Sequence, residues 1–418
     1  MIWLLFALIL ALLMLRQSIL VILLVAVLWC WWAWSGAPLR FAVLDAWDAL
    51  NREVLLAIPL YLLAGRLMSS GSMASRLTDL LRELTRPVPG GLALAAVLAC
   101  AVFAAISGSS TVTMVAVGGV MYPALLDAGY PRRLALGALC AAGTLGIVIP
   151  PSIPLILYGV MANVSIVDLF RAGVGPALVL LLLFALYVIA AGRSVRRERL
   201  APRRLLESLR RSLLALLMPL LVLGGIYSGI FTATEAAAVA VAYTAVVQLF
   251  VFREMGVVDL LQAAGATARL IGSLFPVLML AVCLNQYLGY QHLPDQAIGW
   301  LSSFVEDRLS FLLVFNVLLL LVGAFIDIGS AILLLTPLLT PVATGVGIDP
   351  VHLGVIMIVN LEIGYLTPPM GLNLIVAMGA FREDFREICL AVLPFIGLML
   401  LALALTAAVP GLSLFLVR

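Results

Sequence analysis

Hydroxyl-bearing residues and glycines gather at four places in this 418-residue chain, and acidic residues stand beside two of them. The first place is Ser107-Gly108-Ser109-Ser110-Thr111. The second is Gly143-Thr144-Leu145-Gly146, which continues through Ile147-Val148-Ile149 into Pro150-Pro151-Ser152. The third is Asp327-Ile328-Gly329-Ser330. The fourth is Gly364-Tyr365-Leu366-Thr367-Pro368-Pro369-Met370-Gly371-Leu372-Asn373, with Glu362 just before it. Uncharged hydroxyl and carbonyl oxygens are hard ligands that suit a cation such as Na⁺. Half-helix N-termini, where a helix is interrupted, attract an anion. Asp327 and Glu362 lie in apolar surroundings, where an ionisable side chain points by default to an ion or proton path.

Other chemistry finds little support. The chain has no HExxH motif and no clustered Asp pairs, its two histidines (His292 and His352) fall near segment ends, and no His or Lys is placed by sequence as a base for Ser109. Catalysis is therefore not expected, nor is any cofactor beyond a coupling ion. The five cysteines stand alone in apolar runs without a CxxC, as packing residues do. Glu235, in Phe231-Thr232-Ala233-Thr234-Glu235, reads as a cap for the helix after it. Arg16 and Arg66 are the remaining charges within apolar segments.

The elements that position these residues must be membrane helices. The chain is 64% hydrophobic and 11% charged, whereas soluble domains carry roughly 25% charged residues. Stretches free of Asp, Glu, Lys and Arg run over 87–126, 134–167, 172–192, 270–294 and 388–417, each at or beyond the roughly 20 residues of a spanning helix. They are apolar on every face, which excludes a β-barrel. Residues 1–15 lack a basic region and a cleavage site, so they are expected to belong to the first membrane segment. Residues 39–52 and 72–89 are too charged to span and read as amphipathic helices on the surface. All 24 basic residues are arginines, and eight of them lie in 193–211. A short arginine-rich loop of this kind is expected on the cytoplasmic side, and nothing in it suggests nucleic-acid binding.

That loop divides the chain nearly in half. A shift of 218 places Gly71 on Gly289, Pro123 on Pro341, Gly129 on Gly347, Gly146 on Gly364, and Pro150-Pro151 on Pro368-Pro369 without a gap. Glycine and proline dictate backbone geometry, so their agreement predicts two structural repeats, over 1–192 and 212–418, joined by the loop 193–211. In each repeat a polar tip between apolar arms, followed by a second break at Tyr122-Pro123 or Thr336-Pro337, suggests a re-entrant hairpin, about 103–127 and about 322–346. In each, Gly-x-x-x-Pro-Pro breaks a spanning helix, about 133–160 and about 351–380, since paired prolines remove two donors and disfavour helix before them. The expected fold is an all-α polytopic membrane protein with two inverted repeats. Whether 1–34 and 213–252 cross once or twice is left open by the sequence.

These motifs resemble the large membrane subunit of tripartite ATP-independent periplasmic (TRAP) transporters. The resemblance rests on Ser107 to Ser110, Pro123 with Gly129-Tyr130, Gly143 to Ser152 with Tyr158-Gly159, Ser165 with Asp168-Leu169-Phe170, Gly229 to Thr232 with Thr234-Glu235-Ala236, Gly347 to Pro350, and Gly364 to Leu374. It covers nearly the whole chain. It implies an elevator-type secondary transporter of the bacterial inner membrane, importing an organic acid by Na⁺ symport. The partners it implies are a periplasmic substrate-binding protein and a separate small four-helix membrane subunit. By the same resemblance, Ser107, Gly108, Ser109, Ser110, Pro150, Pro151, Ser152, Pro368, Pro369 and Asn373 would frame the substrate. Ser109, Ser110, Gly143, Thr144 and Gly146 in one half, and Asp327, Gly329, Ser330, Gly364 and Thr367 in the other, would frame Na⁺. Two departures are Leu15-Arg16-Gln17-Ser18, where a Gly-Pro-like break is expected, and Ala233, where the family has proline. A symporter that needs no binding protein is the alternative.

Overall fold

With no water to satisfy backbone groups, an apolar chain of this composition closes its hydrogen bonds within helices. The computed structural model describes residues 17–35, 39–193, 200–290, 308–369 and 371–417, with Val195 and a few positions before residue 17, and the elements found there are helical. In chain order they are α1 (Ile19–Cys30), α2 (Leu39–Leu50), α3 (Ala57–Ser70), α4 (Met73–Thr85), α5 (Gly91–Ser107), α6 (Ser110–Asp127), α7 (Arg132–Val148), α8 (Ile153–Ala162) and α9 (Ile166–Ala191). The second half contains α10 (Pro202–Tyr227), α11 (Ala233–Val246), α12 (Val257–Tyr290), α13 (Arg308–Phe325), α14 (Ile328–Gly345), α15 (Pro350–Gly364), α16 (Leu372–Phe381), α17 (Phe385–Ala408) and α18 (Gly411–Leu414). Among the described residues, ten segments are long and apolar enough to cross a membrane. The chain is a multi-pass membrane protein.

One of those segments, Arg132–Ala162, joins α7 to α8 and is 83% buried, against 33–56% for the others. It is the centre of the molecule. The rest wrap around it: α5, α6 and α17 pack on α7, α9 runs beside α7 and α8, and α14 and α15 close on α8. Glycines allow the closest approaches. A Cβ on Gly143 would lie 2.6 Å from the Met114 Cβ, and one on Gly137 2.2 Å from the Ala391 carbonyl.

Each half contains a helical hairpin followed by an interrupted helix. The hairpins are α5–α6, turning at Gly108-Ser109, and α13–α14, turning at Ile326-Asp327; the interrupted helices are α7–α8 and α15–α16. Gly129 and Gly347, which the 218-residue shift pairs, both take left-handed backbone angles (φ 81° and 77°) after α6 and α14. Both Pro150-Pro151 and Pro368-Pro369 are cis, and each lies in an interruption.

The structure corrects several boundaries. The first hairpin begins at Gly91 and the second includes all of α13, so their first arms are longer than expected. Pro123, Pro337 and Pro341 do not break α6 or α14. A proline inside a helix removes one hydrogen bond, and neighbouring helices in a membrane bundle can compensate for it. Segment 213–252 contains two helices, α10 and α11, the second running on as a π-helix over Val247–Phe252. The arginine-rich stretch is half helix: α10 starts at Pro202 and carries Arg203, Arg204, Arg210 and Arg211. Arg196, Arg197, Arg199, His292, Arg16 and most of 1–15 lie outside the described residues.

Of the two amphipathic stretches, the second forms α4, which buries Met73, Ala74, Leu77 and Leu80 against α5 and α10. Glu235 caps α11 as expected. The Thr232 hydroxyl accepts from the Glu235 amide at 3.2 Å, while the Glu235 carboxylate accepts from the Thr232 amide at 2.8 Å.

Candidate functional site

The first tip is organised by Gly108, whose left-handed φ of 57° ends α5 where a Cβ would meet the Pro151 carbonyl at 2.9 Å. Ser107 folds inward, its hydroxyl 2.7 Å from Thr113 Oγ1 and within reach of the Ser109 carbonyl at 3.2 Å. Ser109 precedes α6 in extended backbone and gives no side-chain cap. The tip therefore lies against the first interruption. Gly146 of α7 packs so closely that a Cβ there would be 2.6 Å from the Ser109 carbonyl, and the Ile153 amide reaches the Gly108 carbonyl at 3.5 Å. Ser152 caps α8 by accepting from the Leu155 amide, and it donates to the Ile147 carbonyl at the end of α7.

The second tip also lies against the interruption of its own half, through different contacts. Asp327 caps α14 by accepting from the Ser330 amide at 2.9 Å, and the Ile328 amide donates to the Tyr365 hydroxyl at 3.2 Å, which ties this tip to the second interruption. Asp327 is thus a helix cap, with at least one oxygen committed to the backbone. Gly364 lies against Gly323 of α13, where a Cβ would be 2.4 Å from the backbone. Thr367 donates to the Ile363 carbonyl at 2.8 Å, and Thr144 to the Ala141 carbonyl at 2.6 Å. A hydroxyl whose hydrogen is committed this way presents only lone pairs elsewhere.

The two halves meet at Asn373. On the first turn of α16, its carboxamide donates to the Ser110 hydroxyl and accepts from the Thr111 hydroxyl at 3.3 Å. The helices so joined, α6 and α16, begin at Ser109 and Gly371, neither of which supplies a side-chain cap, whereas Ser152 and Asp327 cap α8 and α14. Two helix N-termini without side-chain caps are thus held together, one from each half; at α16 the Asn373 and Leu374 amides already donate to the Tyr365 and Gly371 carbonyls, at 3.3 and 2.7 Å. Such termini carry partial positive charge and bind anions.

Glu362 lies between the halves. It is fully buried on α15, and neither carboxylate oxygen finds a hydrogen-bond partner among the described residues; the Thr144 side chain of α7 lies beside it. The structure therefore brings together Ser107 to Ser110, Gly146, Pro151, Ser152 and Asn373 in one cluster, and Asp327, Ile328 and Tyr365 in a second. Gly143 and Gly364 serve helix packing, against Met114 and Gly323.

Sequence reasoning passed over Thr113, Tyr365 and the Asn316–Asn360 pair. Asn360 donates to both the Asn316 carbonyl (3.0 Å) and its side-chain oxygen (2.8 Å), bolting α15 to α13. Lone amides within apolar helices were the available signal, since such groups glue membrane helices together.

The comparisons agree with this architecture. Residues 6–412 match the family described as tripartite ATP-independent periplasmic transporter, DctM component. The chain is 39% identical over 383 residues, 91% of its length and 90% of the relative's, to the C4-dicarboxylate TRAP transporter large permease protein DctM of Pseudomonas aeruginosa. It is 37% identical over 391 residues to the isethionate TRAP transporter permease protein DctMQ of Oleidesulfovibrio alaskensis, covering 91% of this chain and 61% of that one. Among solved structures, the YdaH transporter of Alcanivorax borkumensis superposes with a TM-score of 0.65 at 17% identity, covering 92% of this chain and 91% of that one, a likeness of fold alone. The chain belongs to the tripartite ATP-independent periplasmic transporter family, as a DctM component, the large permease subunit.

Proposed function

We propose that this permease subunit imports a small organic acid of the carboxylate class across the bacterial inner membrane, driven by a Na⁺ gradient. In this reading a periplasmic binding protein delivers the solute and a separate small four-helix membrane subunit completes the complex. The observation that carries it is the pair of uncapped helix N-termini, at Ser109-Ser110 and Gly371-Leu372, held together by Asn373. The first-turn amides of α6, without a side-chain cap and flanked by the Ser109, Ser110 and Thr111 hydroxyls, match the oxygens of a carboxylate. Relatives named for a C4-dicarboxylate and for isethionate, both small organic anions, fit the same chemistry.

Lone pairs from Ser109, Ser110 and Thr144, with the carbonyls around Gly143 and Gly146, would supply one Na⁺ site. Ser330 and Thr367, with Asp327 and the carbonyls around Gly329 and Gly364, would supply the other. The matching hairpins and interrupted helices support an inverted repeat, and the buried α7–α8 segment with its packed hairpins is the natural body to move in an elevator cycle. The arginine-rich stretch would face the cytoplasm.

The test is uptake of a radiolabelled carboxylate panel into proteoliposomes holding the chain and its small subunit, with the binding protein outside. Uptake that requires both the binding protein and an inward Na⁺ gradient is expected. Uptake without the binding protein would establish the stand-alone symporter instead, and uptake driven by a pH gradient alone would overturn Na⁺ coupling.

A further inference from the structure

Arg66 stands on the last turns of α3 without a carboxylate partner among the described residues, and its Nε is buried without a hydrogen bond. It faces a cavity of about 410 Å³ lined also by Ser69, Ser70, Glu254, Asp259 and Gln262. The cavity lies where three membrane segments end together: Glu53–Ser70, Ala233–Phe252 and Val257–Tyr287. The ends of spanning helices meet the headgroup region of a bilayer, and this end is the one at which α10 has its arginine-rich start, since Ser212 of α10 donates to the Arg76 carbonyl and Arg76 pairs with Glu254 at the cavity wall.

The charges there are unequally committed. Glu254 accepts from the Ser72 amide and hydroxyl and from Arg76. Among the described residues Asp259 accepts from the Gly256 amide, through one oxygen. Ser69 and Ser70 both donate to the Arg66 carbonyl and so present lone pairs. That leaves, among the described residues, one guanidinium with an unbonded Nε and one carboxylate oxygen able to take a cation within the same cavity. Beside it, Phe250, Val251, Val257, Val258 and Leu261 are more than half exposed, an apolar flank suited to acyl chains.

We propose that this cavity binds a zwitterionic phosphodiester headgroup bearing a primary ammonium, that of phosphatidylethanolamine, with the phosphate on Arg66 and the ammonium on Asp259. Basic pockets between membrane helices at the cytoplasmic interface bind lipid headgroups, and a planar guanidinium suits phosphate oxygens in pairs. The carboxylates disfavour a purely anionic lipid. A trimethylated headgroup lacks the N–H donors that Asp259 would accept. The inference is independent of what the subunit transports.

Native mass spectrometry and thermal unfolding of the full chain in detergent, titrated with phosphatidylethanolamine, phosphatidylglycerol, phosphatidylcholine or soluble glycerophosphoethanolamine, test it. Phosphatidylethanolamine is expected to bind at least about tenfold more tightly than the other three. Arg66→Gln is expected to lose that binding, and Asp259→Asn to keep binding but lose the preference over phosphatidylglycerol and phosphatidylcholine. Arg204→Gln, in a different arginine-lined cavity, should change neither, and Arg66→Lys keeps the charge should Arg66→Gln fail to fold. Equal binding of the three lipids, or undiminished binding by both Arg66 variants, overturns the proposal. Equal binding of the soluble headgroup would assign the cavity to a soluble ligand.

Discussion

Asn373 of α16 donates to the Ser110 hydroxyl of α6, across 263 residues of sequence, and so couples the second interrupted helix to the first hairpin tip. The same side chain accepts from Thr111 at 3.3 Å. Asn373→Ala removes both bonds. It is expected to lower stability by about 1 kcal/mol and uptake by an order of magnitude or more, because the two N-termini lose their common orientation. Asn373→Asp keeps an acceptor for Thr111 and places a negative charge between two positive helix ends, so stability should hold or rise while a substrate anion is excluded. Uptake by the aspartate variant at the wild-type rate would remove the N-termini from the transport path.

Gly146 and Gly364 set how closely the tips approach the interruptions. A Cβ on Gly146 would be 2.6 Å from the Ser109 carbonyl, and one on Gly364 2.4 Å from the Gly323 backbone. Backbone cannot yield as a flexible side chain does, so Gly146→Ala and Gly364→Ala should each cost about 1–3 kcal/mol and abolish uptake by shifting the tips. Gly119→Ala, on α6 of the first hairpin with nothing within 4 Å, is the control; it should leave uptake intact and stabilise α6 by up to about 1 kcal/mol. Thermal melts and uptake on the same preparations decide this.

How much of this was legible depended on whether a residue's meaning is local. Pro150-Pro151 and Pro368-Pro369 announce helix interruptions because proline removes its own donor wherever it stands, and both interruptions fall between the helices expected, α7 and α8, α15 and α16. Ser107 to Thr111 announced a turn because glycine, here Gly108, admits the left-handed backbone a tight turn needs. Pro123 and Pro337 misled, since whether an internal proline breaks a helix depends on what packs around it. Asp327 read as an ion ligand or proton carrier, and only the position of the Ser330 amide shows that it caps α14. The Asn373–Ser110 and Asn360–Asn316 bonds join residues 263 and 44 positions apart; no local spacing encodes such pairs.

Glu362 offers a separation of stability from function. Its carboxylate oxygens are buried without hydrogen bonds among the described residues, and a buried polar group left unpaired costs about 1–3 kcal/mol that an apolar group of similar shape does not. Glu362→Leu is expected to raise the melting temperature and, if the carboxyl serves the ion path beside Thr144, to eliminate coupled uptake. A variant both more stable and fully active would show Glu362 to be dispensable for transport.

The Glu254 latch predicts a pH response outside the membrane segments. Burial pushes this carboxyl up, but the Ser72 hydroxyl, the Ser72 amide and the Arg76 guanidinium outweigh it and hold it below its ordinary value of 4.5. A carboxyl lowered in the folded state adds stability above its unfolded value, and that contribution is lost as pH falls through the folded value. The latch should therefore be insensitive between pH 7 and the ordinary glutamate range and release below it, with Arg76 also freed from Glu254 while still over the Phe252 ring at 3.9 Å. Melting curves of wild type and Glu254→Gln should differ by about 0.2–1 kcal/mol from the ion pair at neutral pH and converge in acid. Parallel curves would exclude Glu254 as the group responsible.

Ala233 stands at the first helical position of α11, where the family resemblance leads one to expect proline. The helix starts regardless, because Thr232 and Glu235 satisfy the first amides reciprocally. Nothing in the backbone forbids the proline. Thr232 is extended (φ −67°, ψ 165°), as a residue before proline must be, and the amide lost at this position has no partner within the helix. The Ala233 carbonyl, which accepts from the buried Tyr61 hydroxyl at 3.0 Å, is retained. Ala233→Pro is expected to stabilise the chain by about 0.4–1 kcal/mol through the unfolded state and to rescue most of the roughly 1 kcal/mol lost in Thr232→Ala. Destabilisation by Ala233→Pro in melting experiments would mean that the pyrrolidine ring collides with α3, and that this departure from the family pattern was fixed by packing around Tyr61.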